Sequence, residues 1–420
     1  MSTITSRPRR ASAVRVPNEP QAAGAPAAPS AEVAAISESP PVAPTADEPS
    51  SSAPAVGEAA VGEAALLRSL HLTRVGRIPC FFEAEASPEA RADRPLAAAE
   101  HAAELQRRVA DSKSRKLSAL AGRVLRRTGR AAESFKGAPR PTASYHSEAD
   151  QVSVLRTDWS PRAAQVAVDW SPPEMKFELT LGADVVFSGF LPPHVMWNGR
   201  VLDATGDWEE VMWLSEPEAD YLELEIRLGE VRLQRQILLC RRDGWLYVGD
   251  DVHAPASGDL ETRLRLPTAD DVRFVPYEET RDGVLHAARH RLAVVPASLP
   301  EWRAERSPGE LVGDAGRLEL RRSAAGVRSL NSSLFLNFHP RRSRREITWR
   351  RLTVGENLRL VGPDEAVGYR LQAGREHWLV YRSLTDWANR TLLGINLQTA
   401  FLFARFSAEG RSEPLIELEG

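Results

Sequence analysis

A two-residue period running from about Gln151 to the last residue constrains this chain more than any other feature. In DYLELEIRLG, Leu222, Leu224, Ile226 and Leu228 alternate with Glu223, Glu225 and Arg227. Successive strand side chains point to opposite faces, so the segment reads as a half-buried strand. DLETRLRLP repeats the pattern with Leu260, Leu264 and Leu266. MKFELTL, DVVFSGF, WEEVMWL, RLELRR, SLFLNFH, EITWRRLTV, AVGYRLQ, EHWLVYRS and FLFARF read the same way, with turns expected at Asn198-Gly199, Asp243-Gly244 and Asp282-Gly283. Parallel strands need long crossovers, and no long helical pattern interrupts these runs. The expected fold is therefore mainly β: a large antiparallel β-sandwich over residues 141–420, its sheets packed face to face. No repeat of fixed period is visible, which counts against a propeller.

The N-terminal part has a different composition. Of 12 Phe, 10 Trp and 6 Tyr, the first in the chain is Phe81, so nothing before it can supply an aromatic core. Residues 1–63, rich in Ala and Pro, offer too little apolar bulk to offset the entropy of ordering and read as a disordered tail. Residues 64–140 read as a short helical segment whose main element is a basic amphipathic helix over about 93–129. Asp93 can cap it, Pro95 suits the first turn, and Gly129 can end it. Leu105, Val109, Leu117, Leu120, Val124 and Leu125 share one face, while Gly122 inside the run costs about 1 kcal/mol relative to Ala.

Charge and cysteine content exclude several classes. The net charge is −3, which gives no global attraction to nucleic acid. The two cysteines, Cys80 and Cys240, lack metal-type spacing and make no disulfide framework. No apolar run approaches the roughly 20 residues of a membrane span. The basic N-terminus is not followed by the apolar region of a secretory signal, so a cytoplasmic location is expected. No cofactor motif is present, and no metal site is expected. His286 and His290 have the i, i+4 spacing of two ligands on a helix, but in a strand that spacing spans about 13 Å, too far for one ion.

Three sets of residues could carry chemistry or binding. Asp250, Asp251 and His253 form the tightest group of acid–base types, at a strand end where paired carboxylates could shift one another's protonation. Acids there also satisfy turn backbone commonly. Trp197, Trp208 and Trp213, with Arg200 among them, could stack on sugar rings, although tryptophan ordinarily fills a sandwich core. Two basic runs could hold a polyanion. One contains Arg107, Arg108, Lys113, Arg115 and Lys116; the other, RRSRREITWRR, contains Arg341, Arg342, Arg344 and Arg345 and ends at Arg351. The first could equally lie back on an acidic body, and the second could protect a strand edge from aggregation.

The stretch from Asp220 to Val252, DYLELEIRLGEVRLQRQILLCRRDGWLYVGDDV, resembles the C-terminal β-domain of heparinase II/III-type polysaccharide lyases. There a polar strand is followed by an arginine-bearing strand, a turn and a strand ending in Asp. The resemblance implies a large, supersandwich-like fold, with Arg235 at the strand arginine and Asp250 at the terminal Asp. It carries over no catalytic residue, because those lyases hold their Tyr, His and Asn largely on a preceding helical toroid.

The leading expectation is a non-enzymatic binding or interaction module whose partner is a carbohydrate or a protein. One alternative is a polysaccharide-active, lyase-like enzyme drawing on His253, Asp250, His286 or Tyr247. The other is an adaptor for a polyanion or a membrane surface through the basic helix.

Overall fold

The two-residue period is satisfied by antiparallel pairing within four sheets. This computed structural model describes residues 56–75, 77–125, 142–314, 316–386, 388–407 and 410–419, all within the unit Ala55–Gly420.

A first sheet of five strands, from Tyr145–Ser147 to Asp184–Phe190, pairs in chain order. The central sheet has eleven strands. Its spine is a pair of long strands, Trp245–Pro267 and Arg317–Asn337, joined along most of their length. The register shifts on either side of Gly258, a bulge of the sort that bends a long strand. A third sheet of five strands begins at Ile347–Leu352, and a small sheet of four covers part of it.

The strand alternation sorts side chains into two main cores. Leu222, Leu224 and Ile226 pack toward the first sheet against Val166, Phe177 and Phe187. Tyr221, Trp245, Tyr247 and Phe335 face the third sheet and meet Tyr369, Trp378, Phe401 and Phe403. The central sheet is thus covered on both faces. The antiparallel sandwich expected from the pattern is present, built of stacked layers rather than a single pair of sheets. Half-burial does not hold for Ala219–Leu228, where Glu223 is only 3% exposed.

Asn198 (φ 51°) and Gly199 (φ 78°) make the two-residue turn between Val195–Trp197 and Arg200–Leu202, left-handed at both positions as a type I′ turn requires. Gly244 (φ 67°) closes the hairpin at Asp243. Asp282-Gly283 is not a tight turn. Gly283 lies inside a strand, opposite Pro276 and Val294, and a Cβ there would fall 2.5 Å from the Val275 carbonyl oxygen. His286 and His290 also sit on two different strands, joined by a turn in which Ala288 has φ 47°.

Helices precede the sheets. Val56–His71 begins inside the stretch expected to be a tail, where Ala and Glu favour helix; residues 1–55 lie outside the described residues. The single basic helix expected over 93–129 is two helices, Arg94–Ser112 and Arg115–Val124. Lys113 adopts the left-handed conformation (φ 52°), and the Ser114 hydroxyl caps the second helix by accepting from the Leu117 N–H. Residues 126–141 lie outside the described residues. Leu66, Leu70, Leu105, Val109, Leu117 and Leu120 form the core between the helices, and Cys80 and Phe81 cover the outer face of the first sheet at Val154 and Ala167. No described helix is long and apolar enough to cross a membrane.

Candidate functional site

Asp250 and Asp251 are neighbours in sequence but face opposite sides of the central sheet. Both are fully buried. Asp250 takes both ends of the Arg235 guanidinium, directly across the strand pair, at 2.8 and 2.9 Å. The third nitrogen of Arg235 donates to the Leu191 carbonyl at 2.7 Å, and the guanidinium lies 5.3 Å from the ring centre of Trp208. The two residues singled out by the heparinase resemblance therefore form one ion pair in which every guanidinium nitrogen and both carboxylate oxygens have a partner. On the other face, Asp251 accepts from Gln236 (2.8 Å), Asn331 (2.7 Å) and Arg382 (2.7 Å). Burial pushes the Asp251 carboxyl up, against the pull of Arg382.

Arg382 comes from the third sheet and ties the layers together. It bonds Glu223 through two nitrogens and Gln234 at 2.9 Å. Tyr221 donates to Glu223 and Tyr369 to Asn331. This polar seam opens onto a cleft of about 330 Å³ lined by Glu223, Arg232, Gln234, His253, Arg382 and Asp386. His253 bonds Ser329 (3.1 Å) and Gln234 (3.2 Å), and burial, with Arg232 and Arg382 nearby, lowers its pKa to about 4. It is neutral at pH 7, a weak base, with both nitrogens engaged. Tyr247 is buried, its hydroxyl between Gln236 and Ser333, and His286 is exposed on a separate hairpin. The groups named for acid–base chemistry do not converge on one pocket.

The tryptophans separate by environment. Trp208 is 2% exposed and donates to the Pro173 carbonyl at 2.7 Å. Trp213 stacks on His146, centroids 4.7 Å apart. Trp197 is partly buried, with its indole nitrogen enclosed, while Arg200 is exposed at the turn.

The second basic run has a defined setting. Two adjoining clefts of about 700 and 600 Å³ share Arg342 and Glu376. Their walls carry Arg242, Arg341, Arg342, Arg345, Arg375, Arg405 and Arg411 against Asp243, Glu376 and Glu413. The floor is fixed: Arg342 pairs with Glu376, and Arg405 bonds Asp243 (2.7 Å) and Glu218 (2.6 Å). Trp378 donates to Asp243 at 2.9 Å beneath the Arg342 guanidinium. These arginines hold Glu376 and Glu218 below the usual carboxylate range. Arg341, Arg375 and Arg411 stand exposed at the rim, as does the Arg242 side chain (76%). Arg344 is exposed on the same short turn, Arg342–Arg344. Trp349 does not join them, being buried with its N–H on the Leu299 carbonyl.

The spacing within RRSRR marked part of this trough. Arg242, Arg375, Arg405 and Arg411 were not legible, because they arrive from loops and strands far away in sequence. In the first basic run, Arg107 is paired with Glu104 and Asp111. Arg108 is half-buried, and Lys113, Arg115 and Lys116 are exposed. Among the described residues no group of three His, Cys, Asp or Glu could hold a metal ion.

No family model and no curated protein sequence matches the chain. Solved structures do match. The heparan sulfate lyase HepC of Pedobacter heparinus aligns over 76% of this chain and 52% of its own, at 14% identity and a TM-score of 0.51. A heparinase III aligns over 77% and 52%, at 13% identity and a TM-score of 0.49. The chain spans about half the length of these lyases, and its likeness to HepC is one of fold.

Proposed function

We propose that this chain is a non-enzymatic recognition module for an acidic polysaccharide, bound along the two adjoining arginine-lined clefts. One observation carries the reading: seven arginines line the trough against three carboxylates, with Glu218 a fourth behind Arg405 and Arg242, on a protein whose net charge is −3. Such a local excess concentrates anionic ligands. The planar guanidinium fork matches sulfate and carboxylate oxygens, and the paired floor holds the rim arginines over a rigid base. A polysaccharide as the polymer is supported by the fold shared with HepC, a heparan sulfate lyase. The non-enzymatic part is supported by the scattering of Asp250, Asp251, His253 and Tyr247 and by their engagement with neighbouring side chains.

The test is calorimetric titration of the full chain with a heparin-derived octasaccharide and with a neutral octasaccharide. Tight binding of the first alone is expected. The triple variant Arg341→Ala/Arg345→Ala/Arg375→Ala should lose at least about tenfold in affinity, since charge-assisted pairs are the strong ones, with an unchanged melting temperature. Equal binding of both sugars would contradict the reading. Turnover of a polysaccharide abolished by His253→Ala in a folded protein would overturn its non-enzymatic part.

A further inference from the structure

A separate cleft, of about 500 Å³, lies where the chain leaves His290–Val295, between the central sheet and the edge strand Ile347–Leu352. That volume lies within the range of small-molecule sites, roughly 300–1,000 Å³. Three features distinguish it from an ordinary surface dent.

The first is an exposed indole. Trp302 is 43% exposed, and large exposed apolar groups are the informative exceptions on a soluble surface. The second is the rigidity with which it is presented. The nearly buried guanidinium of Arg281 donates to the carbonyls of Pro300, Trp302, Arg303 and Glu305. The backbone of Trp302 also bridges to Thr280. The loop is therefore a fixed platform, and ligand binding need not order it.

The third is Arg322. Its side chain lines the cleft, its Nε is buried without a hydrogen-bond partner, and its only side-chain hydrogen bond among the described residues runs to the Ser323 carbonyl. No carboxylate of the described residues lies within ion-pair distance. Burial above all, and to a smaller extent the neighbouring Arg351, disfavours its charge, against the pull of Tyr369. A largely buried cation without a counter-ion is costly unless something supplies one. Arg350 and Arg351, both exposed, also line the cleft, and the Ser298 hydroxyl is buried there without a partner.

A flat apolar face beside an uncompensated guanidinium suits a ring that carries one carboxylate and several hydroxyls. We infer that this cleft binds a single uronate residue of an acidic sugar. Its ring stacks on Trp302, its carboxylate pairs with Arg322, and its hydroxyls reach Glu301 and Glu305 of the same loop. The site shares no residue with the arginine trough and does not depend on it.

The experiment titrates the full chain with an unsulfated glucuronate-containing tetrasaccharide and with cellotetraose as the neutral probe. The glucuronate sugar is expected to bind and cellotetraose at least tenfold more weakly. Trp302→Ala and Arg322→Gln should each reduce glucuronate affinity at least tenfold. Trp302 is exposed, so its variant is expected to keep the wild-type melting temperature and to remain informative if Arg322→Gln does not fold. The Arg341→Ala/Arg345→Ala/Arg375→Ala variant should bind the tetrasaccharide as the wild type does. The inference is overturned if the wild type does not bind it, if cellotetraose binds equally, if Trp302→Ala leaves binding intact, or if only the triple variant loses it. Heparin also carries uronates, so the trough is read from the loss in the triple variant and this cleft from the loss in Trp302→Ala, and failure of either leaves the other separately readable.

Discussion

Arg235 and Asp250 show how a pattern read for chemistry can be a pattern of packing. Both side chains are fully buried and bonded at 2.8 and 2.9 Å, with the remaining guanidinium nitrogen on the Leu191 carbonyl. Asp250→Asn would strand the guanidinium in a low-dielectric core, a loss of about 3–5 kcal/mol. A catalytic carboxylate open to a cleft would tolerate the same change with little loss of stability. Denaturant unfolding of the full chain decides between them: a shift of that size is expected, and an unchanged midpoint would remove the structural assignment. The positions of Arg235 and Asp250 were legible in the strand text. Glu223 was not, because alternation implies an outward-facing residue. Its inward turn depends on Arg382, 159 residues further on, and no local pattern records that distance.

At the scale of elements, the N-terminal segment is attached to the first sheet through charge as well as apolar contact. Glu178, buried in the strand Lys176–Leu181, accepts from the Phe81 N–H at 2.7 Å and lies 3.7 Å from Arg74, which also pairs with Glu83. Burial raises the Glu178 pKa to about 6, against the pull of Arg74 and the Phe81 N–H. A carboxyl whose folded pKa exceeds its unfolded value favours folding while it is protonated. That contribution is present below about pH 4.5 and is lost as pH rises through about 6, a change of about 2 kcal/mol. Glu178→Gln should therefore gain stability relative to the wild type across this window and keep a constant difference above it. Melting curves from pH 4 to 8 test this, and a pH-independent difference would contradict it. The helices themselves were legible from their apolar face. Their division was not, since Val109 and Leu117 remain in phase across the break at Lys113, and only the capping residue Ser114 signals it.

For the whole molecule, the antiparallel fold followed from period-two text and short turns, while the number of layers did not. A strand buried on both faces and a strand buried on one can look alike when buried charges such as Glu223, Asp251 and Arg382 satisfy one another across sheets. The arginine trough is also a property of the assembled layers. It draws Arg242 from a hairpin of the central sheet, Arg341 and Arg345 from the connection to the third sheet, and Arg375 and Arg405 from the third sheet itself. The most direct measurement is the affinity of the full chain for a heparin-derived octasaccharide as a function of salt. A linear polyanion neutralised by several arginines releases condensed counter-ions, so log K should fall linearly with log salt, with a slope of about −3 or steeper. The Arg341→Ala/Arg345→Ala/Arg375→Ala variant should show a visibly shallower slope. Affinity independent of salt, or an unchanged slope in the variant, would contradict recognition of an acidic polymer at this trough.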